Sequence, residues 1–232
     1  QLVYVIAFNQ TTTEVFFDAG NAVGSPLGPV QGSILSYGCA SAESIQSIDD
    51  VLLWLCKNKT NSLQIAMMKQ LGLTIVSTKA IDKLIAASIT TDIMSWQVKF
   101  DGHSFYIISF PSINLTLAYD LVEDLWCQWT DVNGDYLQIV DSTYDDSNRN
   151  VLQHKDDGTL LYISPEYYTD TEGLIPVGII TPIFDAQSRR EKQNGRMTFI
   201  ADQIEGSKLQ VRWSDDDYQT WSNWQTVDLS LA

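Results

Sequence analysis

The chain has 232 residues, 44% hydrophobic and 11% aromatic, enough apolar material for the core of one sizeable domain. Only 19% of residues are charged, and 29 Asp and Glu outnumber 14 Lys and Arg for a net charge of −15. That balance leaves no basic cluster to displace counterions from phosphates, which argues against sequence-specific or duplex nucleic-acid binding, and no apolar run is long enough to span a membrane.

In chain order, short apolar segments alternate with polar turns. Segments 2–8 and 13–17 flank Asn9-Gln10-Thr11, and a Gly- and Pro-rich stretch follows from Gly20 to Gly32. Segments 51–56 and 63–68 flank Lys57 to Asn61 as a second predicted hairpin. Residues 77–88 break the pattern: Ile81, Leu84 and Ile85 at i, i+3 and i+4 predict one short inserted helix, with Ser77 or Thr78 as N-cap. Segments 96–100 and 105–110 flank Asp101-Gly102, a dipeptide favoured in type I′ hairpin turns. Further pairs are 115–119 with 126–130, 151–154 with 159–163 around Asp156-Asp157-Gly158, and 197–201 with 209–213 around Glu205-Gly206. Aromatic-Asp pairs close several of these units: Phe17-Asp18, Tyr119-Asp120, Tyr144-Asp145 and Phe184-Asp185. This punctuation predicts an all-β fold, an antiparallel β-propeller-like array of four-stranded blades with one short helix; a β-sandwich is the alternative. Residues 1–232 read as a single domain. The start on Gln1, within an apolar run and without Met, reads as a fragment of a longer chain.

Near the C-terminus, Ser214-Asp215-Asp216-Asp217-Tyr218-Gln219-Thr220-Trp221 follows the Asp-box pattern S-x-D-x-G-x-T-W at every fixed position but one. Ser214 and Asp216 are placed to accept from backbone amides and tighten a turn, Thr220 to begin a returning strand, and Trp221 to lie buried beneath the turn. The exception is Tyr218 in place of Gly, where a bulky side chain disfavours positive φ and predicts an altered turn. Asp boxes punctuate propeller blades, so the box is a structural signal and names no catalytic site.

No residue constellation points to catalysis, a metal or a cofactor. His103 and His154 lack metal-ligand spacing, and each sits beside a hairpin turn where its ring can face solvent. Cys39, Cys56 and Cys127 show no C-x-x-C spacing and read as buried free thiols. Asp131-Val132-Asn133-Gly134-Asp135 starts like a calcium loop, but Gly falls at the fourth position and no Glu follows at the twelfth. Glu123-Asp124, Asp145-Asp146 and Asp156-Asp157 read as solvated turn acids. A sialidase would need three converging arginines, and the five present, Arg149, Arg189, Arg190, Arg196 and Arg212, all fall late in the chain. Trp126, Trp129, Trp221 and Trp224 read as blade core, or as stacking platforms if sugars are bound.

The segments Thr13-Glu14-Val15-Phe16-Phe17-Asp18-Ala19-Gly20, Tyr37-Gly38-Cys39-Ala40, Trp54-Leu55 and Ile75-Val76-Ser77-Thr78-Lys79-Ala80-Ile81 occur in this order. They are followed by Gly102-His103-Ser104-Phe105-Tyr106, Phe110-Pro111, Tyr119-Asp120-Leu121 and Val211-Arg212-Trp213-Ser214-Asp215-Asp216. In this series the chain resembles the packaged-DNA stabilisation proteins (tail accessory, or tail-hub, proteins) of short-tailed bacteriophages. It departs from them at Lys79, where His is expected, at Tyr218, and in lacking the family's N-terminal half. The resemblance implies a non-enzymatic virion component at the head-to-tail junction, made in the host cytoplasm. It also implies a homo-oligomer below the portal that contacts the portal and other tail proteins, needs no cofactor and helps retain packaged DNA. The alternative is a carbohydrate-binding or glycan-cleaving phage tail module.

Overall fold

The computed structural model describes residues 4–21, 23–164, 167, 169–170, 173–184, 196–200 and 207–229. The chain divides into two compact units, Gln1–Pro176 and Val177–Ala232. In the first unit every sheet is made from strands close in sequence, and all pairings are antiparallel. Strands β1 (Tyr4–Phe8), β2 (Thr13–Asp18) and β3 (Leu27–Pro29) form the first sheet. The second contains β4 (Tyr37–Cys39), β5 (Gln46–Ile48), β6 (Val51–Asn58), β7 (Leu63–Lys69) and β8 (Gly72–Ile75), with β4 and β5 sharing one edge of β6. Helix α1 (Lys79–Ile85) leads to a four-stranded meander of β9 (Met94–Phe100), β10 (His103–Phe110), β11 (Leu115–Asp120) and β12 (Leu125–Trp129). The fourth sheet is β13 (Ile139–Tyr144), β14 (Asn150–His154) and β15 (Leu160–Ile163), followed by a minimal hairpin of β16 (Thr169–Asp170) and β17 (Gly173–Leu174). The second unit contains the hairpin of β18 (Lys208–Val211) and β19 (Gln225–Asp228).

Three buried cores lie between the four larger sheets. Along β6, Trp54 and Cys56 pack with Ala66, Met68, Ile6 and Phe8 toward the first sheet. The alternate residues Leu53 and Leu55 pack with Ile65, Ile81, Ile85, Tyr106, Ile108 and Phe110 toward the third. Along β10 the intervening Ile107 joins Trp96, Val98, Ala118, Ile139 and Leu152 in the core shared with the fourth sheet. Successive strand residues face opposite ways, so a sheet with a core on both sides needs an unbroken apolar run. That explains the uninterrupted apolar run 51–56 and the run 106–110, broken only by Ser109, whose buried hydroxyl is bonded to Thr116 Oγ1 and Leu137 O. A two-sheet sandwich has one core and solvated outer faces; here the second and third sheets bury both faces, which is the packing of propeller blades. The fold is all-β and propeller-like, and none of the described sheets closes on itself.

Short polar side chains join one sheet to the next where no strand ladder can. Thr13 Oγ1 donates to Tyr37 O at 2.7 Å, Ser95 Oγ to Glu43 O at 2.6 Å, and Gln46 Nε2 to Ser95 O at 2.9 Å. Asn150 replaces a ladder pair outright: its Nδ2 donates to Lys99 O at 2.9 Å and its Oδ1 accepts from Lys99 N at 3.1 Å.

Several expectations need adjustment. The inserted helix is shorter than residues 77–88. Thr78 Oγ1 caps it by accepting from Ile81 N, whereas Ser77 Oγ accepts from Ile65 N and donates to Asp82. Ile81 and Ile85 are buried, but Leu84 faces solvent. Strand β18 pairs with β19 and not with segment 197–201, whose residues 197–200 form no strand; Ala201, Glu205 and Gly206 lie outside the described residues. Gln1 to Val3, Asp185, Arg189, Arg190 and Lys192 lie outside them too. Cys56 is buried, and burial pushes its thiol up to about 12, but Cys127 is exposed on the edge strand β12.

Candidate functional site

The acidic turns use their carboxylates internally. Asp131 Oδ1 accepts from Asn133 N and Asp135 N, both at 2.8 Å. Asp145 Oδ1 accepts from Ser147 N and Arg149 N, both at 2.9 Å, while Oδ2 binds Arg149 Nε at 2.7 Å. Asn58 repeats the same i+2 and i+4 pattern with Thr60 N and Ser62 N. In each loop the residue at i+3 takes positive φ: Asn61 at 62°, Gly134 at 86° and Asn148 at 58°. The backbone amide of Arg149, followed by its side chain, holds the Asp145 carboxyl below its ordinary value, and Thr159 does the same for Asp157. Asp131 and Asp145 therefore serve as turn caps. Among the described residues no three His, Cys, Asp or Glu side chains are arranged to hold a metal.

The Asp-box turn sits between β18 and β19, and its base is closed by Trp213 N donating to Ser222 Oγ at 3.0 Å and Ser222 N donating to Trp213 O at 2.9 Å. Ser214 Oγ accepts from Tyr218 N at 3.0 Å and donates to Asp216 Oδ1 at 2.8 Å. Asp216 Oδ1 accepts from Thr220 N at 2.7 Å and Oδ2 from the Thr220 hydroxyl. The Thr220 hydroxyl and amide, then the Ser214 hydroxyl, lower the Asp216 carboxyl to about 2. Tyr218 does not abolish the turn. It takes φ 66°, following Asp217 at 55°, and its hydroxyl donates to Thr181 O at 2.8 Å. Trp221 is half-buried, less enclosed than the pattern leads one to expect, with its ring covered by the Arg212 guanidinium at 4.6 Å. Arg212 also stacks on Trp224 at 4.4 Å. Sequence reading missed this sandwich, because its signal lies in the cross-strand register set by Trp213 and Ser222.

A second cluster surrounds the β9–β10 turn, where Asp49, Lys99, Phe100, Gly102, His103 and Ser104 line a shallow hollow of about 340 Å³. His103 does not simply face solvent. Its Nδ1 lies 2.6 Å from Asp120 Oδ2 and its ring stacks on Phe105. Burial pushes the Asp120 carboxyl up, but the Val122 amide, His103 and the Glu123 amide outweigh it and hold the group below its ordinary value. Lys99 Nζ pairs with Asp49 and keeps that carboxyl low. A hydrolytic relay would need a hydroxyl on the far side of the imidazole. The neighbouring Ser104 instead points its hydroxyl to Asp49 Oδ2 at 3.2 Å, as alternation along a strand requires. His154 Nδ1 is likewise tied to Asp157 Oδ1, at 3.1 Å.

The remaining tryptophans are packed. Trp126 stacks on its cross-strand partner Tyr119 and donates to Val76 O at 2.8 Å. Trp129 sits among Trp96, Phe100 and Phe105. Both belong to blade cores.

A family model described as bacteriophage P22 Gp10, beta-propeller, matches residues 3–149, from the first sheet to the opening strand of the fourth. No curated protein matches the chain. The matched span is the stack of sheets and stops short of the Asp box, and no helix among the described residues is long and apolar enough to cross a membrane. With well over half its length matched, and with the matched span folded as stacked antiparallel blades, the chain belongs to this phage stabilisation family of β-propeller structural proteins.

Proposed function

We propose that the chain is a non-catalytic component of the phage head-to-tail junction. It assembles as a homo-oligomer beneath the portal, in contact with portal and other tail proteins, and helps retain packaged DNA. The observation that carries this reading is the family match lying on the stacked sheets themselves. The net charge of −15 fits it: an acidic wall repels phosphates and can line or close a passage without adhering to DNA. The carbohydrate alternative needs free aromatic faces, whereas Trp126 and Trp129 are packed in blade cores. Light scattering of the chain with and without the portal ring, beside a binding screen against bacterial surface polysaccharide, tests the proposal. Self-association or portal binding without glycan binding is expected. A monomer that ignores the portal and binds or trims polysaccharide overturns it.

A further inference from the structure

We propose that Cys39 and Cys56 form a latent disulfide site, closed by exchange with a small-molecule disulfide and reopened by thiols. The two residues are register partners across the antiparallel pair of β4 and β6. In such a pair, hydrogen-bonded positions alternate with narrower ones that carry no ladder bond, where Cα atoms lie about 4.5 Å apart and side chains come closest. Ala40 N donates to Leu55 O at 2.9 Å, so the adjoining position, Cys39 with Cys56, is a narrow one. Cys39 N accordingly turns away from β6 and donates to Asn9 O at 2.9 Å. Disulfides take Cα separations of about 4.4–6.8 Å, so the backbone already suits the bond. Both side chains lie on the face that packs with Trp54 toward the first sheet. Cys39 Sγ donates to Ser41 O at 2.9 Å, and closure needs only the release of this contact by side-chain rotation. The third cysteine, Cys127, lies opposite Ala118 and has no such counterpart.

Cys39 is half-buried and Cys56 fully enclosed, which sets the order of events. The Cys39 thiolate attacks one sulfur of the oxidant and expels a small thiolate, leaving a mixed disulfide. The Cys56 thiolate then attacks Cys39 Sγ, and the second small thiolate leaves. The chain loses two electrons and both thiol protons, and the oxidant is reduced to two thiols. Burial pushes both protein thiols up, Cys56 to about 12, so exchange is slow near neutral pH and quickens in alkali. The bond closes segment 39–56, which carries joints to the third sheet. Glu43 O accepts from Ser95 Oγ at 2.6 Å, Ser44 O accepts from the Tyr106 hydroxyl at 2.7 Å, and Gln46 Nε2 donates to Ser95 O at 2.9 Å. Reducing compartments keep such thiols open and oxidising surroundings close them, so the site is a staple set after the chain has folded.

Oxidised glutathione added at alkaline pH to the intact folded chain tests the site, with Cys127→Ser removing the exposed thiol. Peptide mapping without reductant is expected to find Cys39 linked to Cys56. The thermal midpoint should rise by about 5 °C and fall back with dithiothreitol, as closure of a short loop predicts. Cys39→Ala, which leaves the enclosed thiol in place, and separately Cys56→Ala should each abolish both the link and the rise. If both thiols stay free in the folded chain, or if reaction stops at a glutathione adduct on Cys39, the proposal is overturned. A link that forms only in denaturant overturns it too, because the strand register then plays no part.

Discussion

Gly38 shows how one missing side chain joins two sheets. A Cβ at this position would lie 2.2 Å from Asn9 O and 2.3 Å from Gln10 C and Thr11 N, all of them backbone atoms. The close approach lets Cys39 N donate to Asn9 O at 2.9 Å, while Gly38 O accepts from Trp54 Nε1 at 3.1 Å. Gly38→Ala must push the β1–β2 turn away from β4, and should cost about 3 kcal/mol, the upper part of the range for overpacking. The urea midpoint measures this, and an unchanged midpoint would mean that the two backbones can separate freely. At the same scale, Tyr218 marks where sequence reading stopped short. The departure from Gly is visible in the sequence, but the bond that the Tyr218 hydroxyl makes to Thr181 O, 37 residues away, is one that no local pattern reports.

Between elements, the side-chain joints carry more than their size suggests. Asn150 is buried in β14 and satisfies both backbone groups of Lys99 in β9. Asn150→Ala leaves that N–H and C=O unpaired, and should destabilise the chain by about 2–3 kcal/mol. Thermal or denaturant unfolding measures the loss, and a change below about 0.5 kcal/mol would show that other groups take over. Legibility at this scale was uneven. Asp101-Gly102 announced its turn, and the structure gives both residues positive φ, 52° and 81°. The β7–β8 turn uses Gln70 and Leu71 at 49° and 67°, residues that signal nothing of the kind; there Leu71 borders a mixed groove that it shares with Ile6, Leu52 and Met68 but also with Ser47, Asp49 and Asp50. Long apolar runs were readable because burial on both faces demands them. Short strands such as β5 and β8, of three and four residues and held by their neighbours, were not. The candidate box was readable as a turn, but the Arg212 sandwich was not.

For the whole molecule, the turn carboxylates set the response to acid. Asp49, Asp120, Asp145, Asp157 and Asp216 all sit below their ordinary values in the folded chain. A depressed carboxyl contributes stability that is complete above its unfolded value and is lost as pH falls through its folded value. The thermal midpoint should therefore be nearly flat from about pH 7 to about pH 5 and decline between about pH 4 and about pH 2. A midpoint that rose on acidification through this window would show that relief of the net charge of −15 outweighs the loss of the caps.

The series of sheets in unit 1 also bears on how the chain acquires its structure. Each sheet is completed by strands that follow one another closely, so most pairing closes short loops, and each core needs only the sheet before or after it. All-β proteins usually fold slowly because distant segments must meet. Here the order of synthesis is also the order of assembly: a ribosome-bound chain can finish one sheet before the next emerges, leaving a single apolar face waiting at any moment. Such a chain spends little time with unpaired strands free to aggregate.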